Sequence, residues 1–234
     1  MIANYVKNEV SVTPVQVIQT RRIERLQATV DSAGALLVCA LGSFENAAEY
    51  CGISRVTFAR LSDTPEKTTC SVYFKFLQVL GVFDQFIEAT ISYMNSRDYI
   101  ISQPDDKKML EIAENSFLPG GKIYRHGIDL DGPWVSAVCT PEAERQRQEG
   151  IKRVMDEARA ILKNNEVPIE LLRAHLPVAP IPGISTVMRA FRPTDWLIGK
   201  NGDHDQTKIT INIFLAITEV VPWVIFANEW GQAS

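Results

Sequence analysis

The chain has 234 residues, of which 46% are hydrophobic and 22% charged. These are ordinary proportions for a globular protein with a sizeable buried core. The formal net charge of −4 excludes a global basic field drawing in nucleic acid, so any such contact must come from a local arrangement of cations. Four scattered cysteines (Cys39, Cys51, Cys70 and Cys139) form no C-x-x-C pair, which argues against a zinc site.

Residues 1–19 are polar and β-branched, with Pro14 among them, and read as an N-terminal arm or a strand that pairs with a partner. No apolar signal-peptide core is visible in the first ten residues. The reading is therefore a cytoplasmic protein with no membrane contact. Cys39 and Cys51 sit among apolar neighbours in predicted helices and read as small buried hydrophobes in a reducing compartment.

Residues 20–95 read as helical. A first helix is expected over 22–41. The stretch 44–61, FENAAEYCGISRVTFARL, reads as helix, tight turn and second helix. Ala48 falls where two crossing helices leave room for little beyond a methyl. Gly52 follows where the chain must turn, and positive φ is cheap only for glycine. Ile53 can plug the corner. Ser54 suits the N-cap of the next helix. Phe58 and Leu61 share one helical face and are expected to point inward. Arg55, Val56, Thr57, Ala59 and Arg60 are left facing out or partly exposed. Segment 70–90 follows, with apolar residues at Val72, Phe76, Leu77 and Leu80, the pair Leu80-Gly81, then Phe83, Phe86 and Ile87.

Together these residues resemble the lambda-repressor/Cro-like (XRE) helix-turn-helix family over roughly 20–95. Phe44 stands where the family often has Gln, and Ser62 where it often has Glu. The resemblance implies a helical DNA-binding domain whose second motif helix enters the major groove. It further implies a transcriptional regulator that binds double-stranded DNA, as a homodimer on a palindromic operator. Ser54, Arg55, Val56, Thr57 and Arg60 are the expected DNA-facing residues. Arg55 can fork onto guanine O6 and N7 or clamp a phosphate, Val56 or Thr57 can meet a thymine methyl, and Arg60 is placed for backbone. The bland reading is a solvated face, with Arg55 and Arg60 pairing Glu45 and Glu49. Charge weighs on that side. Residues 1–95 hold eight Lys/Arg against nine Asp/Glu, a poor footprint for nonspecific binding by phosphate neutralisation.

Residues 96–106 read as a domain junction, and 105–115 as a helix starting near Pro104. A turn is expected at 118–122. Short strands are expected at 122–127 and 134–139 around the loop 129–133. A long amphipathic helix follows over 141–164, with Pro141 in its first turn and Ile151, Val154, Met155, Ala158, Ile161 and Leu162 on one side. A short helix is expected at 168–175. Three prolines make 176–182 extended. Strands are expected at 186–191, 208–217 and 223–226; the alternation of Ile209, Ile211, Ile213, Leu215 and Ile217 with Thr210, Asn212 and their neighbours carries the second. Asn201-Gly202 marks a turn inside the loop 200–206. The expected fold class is thus α+β: an all-helical N-terminal helix-turn-helix domain, then a 105–234 dimerisation or effector domain with a mostly antiparallel sheet. That second part is also where a protein partner would dock. Trp134, Trp196, Trp223 and Trp230 all fall in it, and core packing is their default role.

Nothing calls for catalysis, a metal or a cofactor. Asp203-His204-Asp205 reads as a solvated loop tip rather than a metal or base site. Asp129-Leu130-Asp131-Gly132 opens like a calcium loop but lacks the closing acid, because position 140 is Thr. His126 reads as a structural histidine. The reading from another functional class is a protein-binding inhibitor, or an antitoxin-like partner whose helix-turn-helix serves autoregulation. By analogy of fold, the XRE resemblance also implies the kind of regulator common on mobile genetic elements and in toxin–antitoxin pairs.

Overall fold

The computed structural model describes residues 14–95, 137–191 and 209–232. Helix α1 spans Pro14–Leu41, α2 Phe44–Tyr50, α3 Arg55–Asp63, α4 Cys70–Val79 and α5 Phe83–Asn95. After the interval come α6 (Pro141–Asn164), α7 (Ile169–His175), α8 (Ile184–Ala190) and α9 (Ile211–Gln232). Short 3-10 turns at Pro65–Lys67 and Ala137–Cys139 link elements.

Pro14 opens α1, where its missing N–H costs nothing. Leu26, Val30, Ala33, Leu37 and Leu41 recur every three or four residues and are buried, which gives α1 one apolar face. Both α2 and α4 end in the same device. Gly52 (φ 63°) and Gly81 (φ 71°) take left-handed backbone. Behind each, two N–H groups reach back to carbonyls of the last turn: Gly52 to Glu49 and Ile53 to Ala48, Gly81 to Gln78 and Val82 to Leu77. This double bond pattern satisfies carbonyls that the helix end would otherwise orphan. In α6, the Thr140 hydroxyl accepts from Ala143 N–H at 3.1 Å and Pro141 occupies the first turn.

The expected α+β class is overturned. The described residues contain no strand beyond an isolated antiparallel bridge between Thr69 and Thr210, so there is no antiparallel sheet among them. The 186–191 strand is instead α8, begun where Gly183 C=O accepts from Thr186 and Val187 N–H. Of the 208–217 strand, residues 211–217 belong instead to the helix α9, which runs through Pro222 and takes in the whole of the expected 223–226 strand. Of the 134–139 strand, the described part is the 3-10 turn Ala137–Cys139. The arm reading of 1–19 gives way to helix from Pro14 onward. Cys51 and Cys70 are buried, but Cys39 is exposed, against expectation. Burial pushes the Cys51 and Cys70 thiols up and keeps them neutral. The expected helix at 105–115, the features of 118–133 and the loop 200–206 lie outside the described residues. So do Trp134 and Trp196 and the side chains of Trp223 and Trp230.

One contiguous core runs from Leu26 to Val224 and draws on α1 to α9. Helix α9 lies against α1, α4, α5, α6 and α7, which accounts for burial on every side of it. Helix α6 packs along α5. Gly150 makes their close approach possible. A Cβ there would lie 2.8 Å from Phe83 Cζ and 3.1 Å from Ile87 Cγ1. Alanine would add about 1 kcal/mol of helix propensity, yet forcing a methyl against a buried ring costs about 1–3 kcal/mol. Gly150→Ala is therefore expected to lower the urea midpoint at unchanged m-value; a raised midpoint would show that α5 and α6 can part freely.

Candidate nucleic-acid interface

The stretch 44–63 forms two helices whose starts are capped by local hydrogen bonds and whose far end is tied to α1. Ser43 caps α2, its Oγ accepting from Asn46 N–H at 3.0 Å, while Asn46 Nδ2 donates to Leu41 C=O at 2.8 Å. Ala47 and Ala48 are buried against neighbouring helices, as expected for the crossing point. Ser54 caps α3. Its Oγ accepts from Thr57 N–H at 3.1 Å and lies 2.8 Å from Thr57 Oγ1. Phe58 and Leu61 point into the core. Phe44 is half-buried and meets Phe58 edge to face, with centroids 4.8 Å apart. The aromatic at the start of α2 therefore serves packing. At the other end of α3, Gln27 of α1 donates to Ser62 C=O at 2.5 Å and to Asp31 at 2.7 Å.

The remaining side of α3 faces outward. Val56 is 62% exposed and the Arg55 side chain 71%. Ser54 and Arg60 are also exposed, while Thr57 and Ala59 are half-buried. The five expected DNA-facing residues thus share one short helix and its cap. Ser54 and Thr57 have their hydroxyls engaged with each other, which leaves Arg55, Val56 and Arg60 as the freest to meet a ligand. Arg55 is the first residue of α3. Its Nη1 lies 3.0 Å from Glu45 Oε1 of α2. Arg60 makes no ion pair among the described residues. Of the two pairings in the bland reading, Arg55 with Glu45 is present.

Two supports of the turn come from far along the chain. Lys75 of α4 donates from Nζ to Gly52 C=O at 3.1 Å. The Cys139 thiol lies where a Gly52 Cβ would project, 2.0 Å from that position. Gly52 is thus required twice, once for its φ and once for lack of a side chain. Neither Lys75 nor Cys139 carries a sequence signal, because the contacts join segments remote in the chain. The 3-10 turn bearing Cys139 is itself anchored by buried Arg147, which donates to Val138 C=O at 2.8 Å and to Gln78 Oε1. Burial pulls the Arg147 guanidinium below its ordinary value, while the nearby Glu144 opposes that shift.

Elsewhere, no group of three or more His, Cys, Asp or Glu among the described residues could hold a metal ion. Asp203, His204, Asp205, His126 and the 129–132 loop lie outside those residues. No single described helix is long and apolar enough to cross a membrane. No protein-family model, curated protein or solved structure matches this chain.

Proposed function

We propose that this protein is a sequence-specific DNA-binding transcriptional regulator whose α3 lies in the major groove of duplex DNA. The observation that supports this reading is the outward face of α3: an arginine at the first helical position, an apolar Val56 beside it and Arg60 beyond, on a helix fixed at both ends. An arginine so placed presents a planar fork of donors that matches guanine O6 and N7. Val56 has the size and polarity to meet a thymine methyl. Arg60, about a turn and a half later, suits a phosphate. The few cations imply modest nonspecific affinity, so a second copy doubling the contacts is part of the reading. A homodimer would place two such helices about 34–36 Å apart on a palindromic site.

A band shift with the duplex upstream of the protein's own gene tests this. Arg55→Ala is expected to weaken binding by about 1–3 kcal/mol, roughly 5- to 150-fold. Both Arg55 and its partner are largely exposed, so the folded state should be little disturbed. Unchanged affinity in the folded variant would remove Arg55 from the interface.

A protein-binding role, as inhibitor or antitoxin-like partner, is the second reading. It is favoured by exposed apolar side chains: Val17 and Ile18 on α1, Ile181 in the extended 176–183 segment, and Ile184 and Met188 on α8. Ala179 N–H donates to Gln19 Oε1 at 2.9 Å, which ties the start of α1 to that segment. A stoichiometric partner released by Met188→Glu, with duplex affinity intact, would support it.

A further inference from the structure

The Glu45–Arg55 pair joins the two helices of the motif on its outward side. Resting on the reading of α3 as a duplex-facing helix, we propose that Glu45 is a specificity-determining residue: it tethers Arg55 and suppresses sequence-independent DNA binding. The contact is a single approach, Nη1 to Oε1 at 3.0 Å, between side chains 71% and 56% exposed. In a pair this exposed, the attraction contributes little to folding. Its consequence falls on a ligand instead.

Nonspecific binding counts phosphates neutralised, each releasing a condensed counterion. A guanidinium already facing a carboxylate is a poor phosphate neutraliser, since the pair carries no net charge. A phosphate must either displace Glu45 or approach beside it, and like charges repel. Guanine is different. It is uncharged at its major-groove edge and offers acceptors O6 and N7. Arginine has five N–H donors in a rigid fork. A carboxylate beside Nη1 leaves the others free and biases the side chain toward that pose. Part of the ordering cost of that pose is met before binding. Glu45 therefore selects base-edge contact over backbone contact, by penalising the wrong ligand more than by improving the right one. The arrangement thus lowers sequence-independent affinity, in keeping with eight cations against nine anions over residues 1–95.

The test compares wild type, Glu45→Gln, Arg55→Ala and the double variant, each on two duplexes: the protein's own upstream DNA and a scrambled duplex of equal composition. Affinities are measured as salt is raised. Glu45→Gln is expected to bind the scrambled duplex about 8-fold more tightly at 0.1 M salt, with a log–log salt slope steeper by about one. Affinity for the upstream duplex should change by less than about twofold, so the specificity ratio falls. In the Arg55→Ala background the same substitution should leave the ratio unchanged. Glu49→Gln, which removes the same charge from the same helix without contacting Arg55, should also leave the ratio unchanged. An equal rise on both duplexes, or no change on either, would overturn the role of Glu45 while leaving DNA readout by α3 intact. Failure of the wild type to bind any duplex would overturn both.

Discussion

Replacing Arg22 with methionine is expected to destabilise the folded protein by about 3–5 kcal/mol. Arg22 is buried on α1. Its Nε donates to Glu219 Oε2 at 2.9 Å, its Nη1 to Asn212 Oδ1 at 2.6 Å and its Nη2 to Pro177 C=O at 3.2 Å. One guanidinium thus ties α1 to two turns of α9 and to the extended segment after α7. The side chains are 2% and 16% exposed, so neither charge is well hydrated. Truncating one partner leaves the other buried with nothing opposite, and that desolvation dominates the loss. The pair itself is not the source of net stability. Its attraction is offset by the cost of taking both charges out of water. Arg22→Met combined with Glu219→Met should therefore recover much of what the single variant loses. Urea unfolding of the three variants checks this. A loss below about 1 kcal/mol for Arg22→Met would mean that water reaches the site and that α1 is held to α9 by apolar packing alone.

Phe74→Ala is expected to cost about 3–5 kcal/mol, from lost burial and from the cavity left behind. Phe74 is fully buried on α4. Its ring lies 5.5 Å from Phe83, 5.8 Å from Phe86 and 5.3 Å from Phe214 by centroid, mostly edge to face. Those rings sit on α5 and α9, so Phe74 is where the helices flanking the motif meet the last helix. Such aromatic contacts contribute beyond area alone. Phe74→Leu, which keeps most of the volume, should cost clearly less. Equal losses for the two variants would show that ring geometry rather than filled volume sets the stability of this junction. With total stabilities of about 5–15 kcal/mol for domains of this kind, either large variant removes a substantial fraction.

Local signals were legible in the sequence and non-local ones were not. The turn at Gly52, the cap at Ser54 and the inward pair Phe58 and Leu61 each depend on residues within a few positions, and the structure shows each of them. The same holds for α6, whose Thr140 cap, Pro141 and single apolar face coincide with the helix at Pro141–Asn164. Helix α9 differs from the strands expected over 208–217 and 223–226 for a physical reason. It is enclosed by five other helices, so its apolar residues are not confined to one face and leave no 3.6-residue period. Its β-branched run then imitates the alternation of a strand. Length was the better guide: the apolar stretch from Ile209 far exceeds the usual four to eight residues of a strand. Helix α8 is too short to display a period at all. In the candidate site, the Arg55–Glu45 contact was visible as one of two pairings, but Cys139 over Gly52 and Lys75 on its carbonyl depend on tertiary packing. No motif announces them.

The most direct measurement follows the backbone amides of isotope-labelled protein by NMR as the duplex from its own upstream region is added. DNA readout by α3 predicts that the largest shifts fall on Ser54, Arg55, Val56, Thr57 and Arg60, with core residues such as Phe74 and Leu172 unmoved. A bound duplex that perturbs a different surface and leaves those five amides in place would contradict it, as would no binding at all.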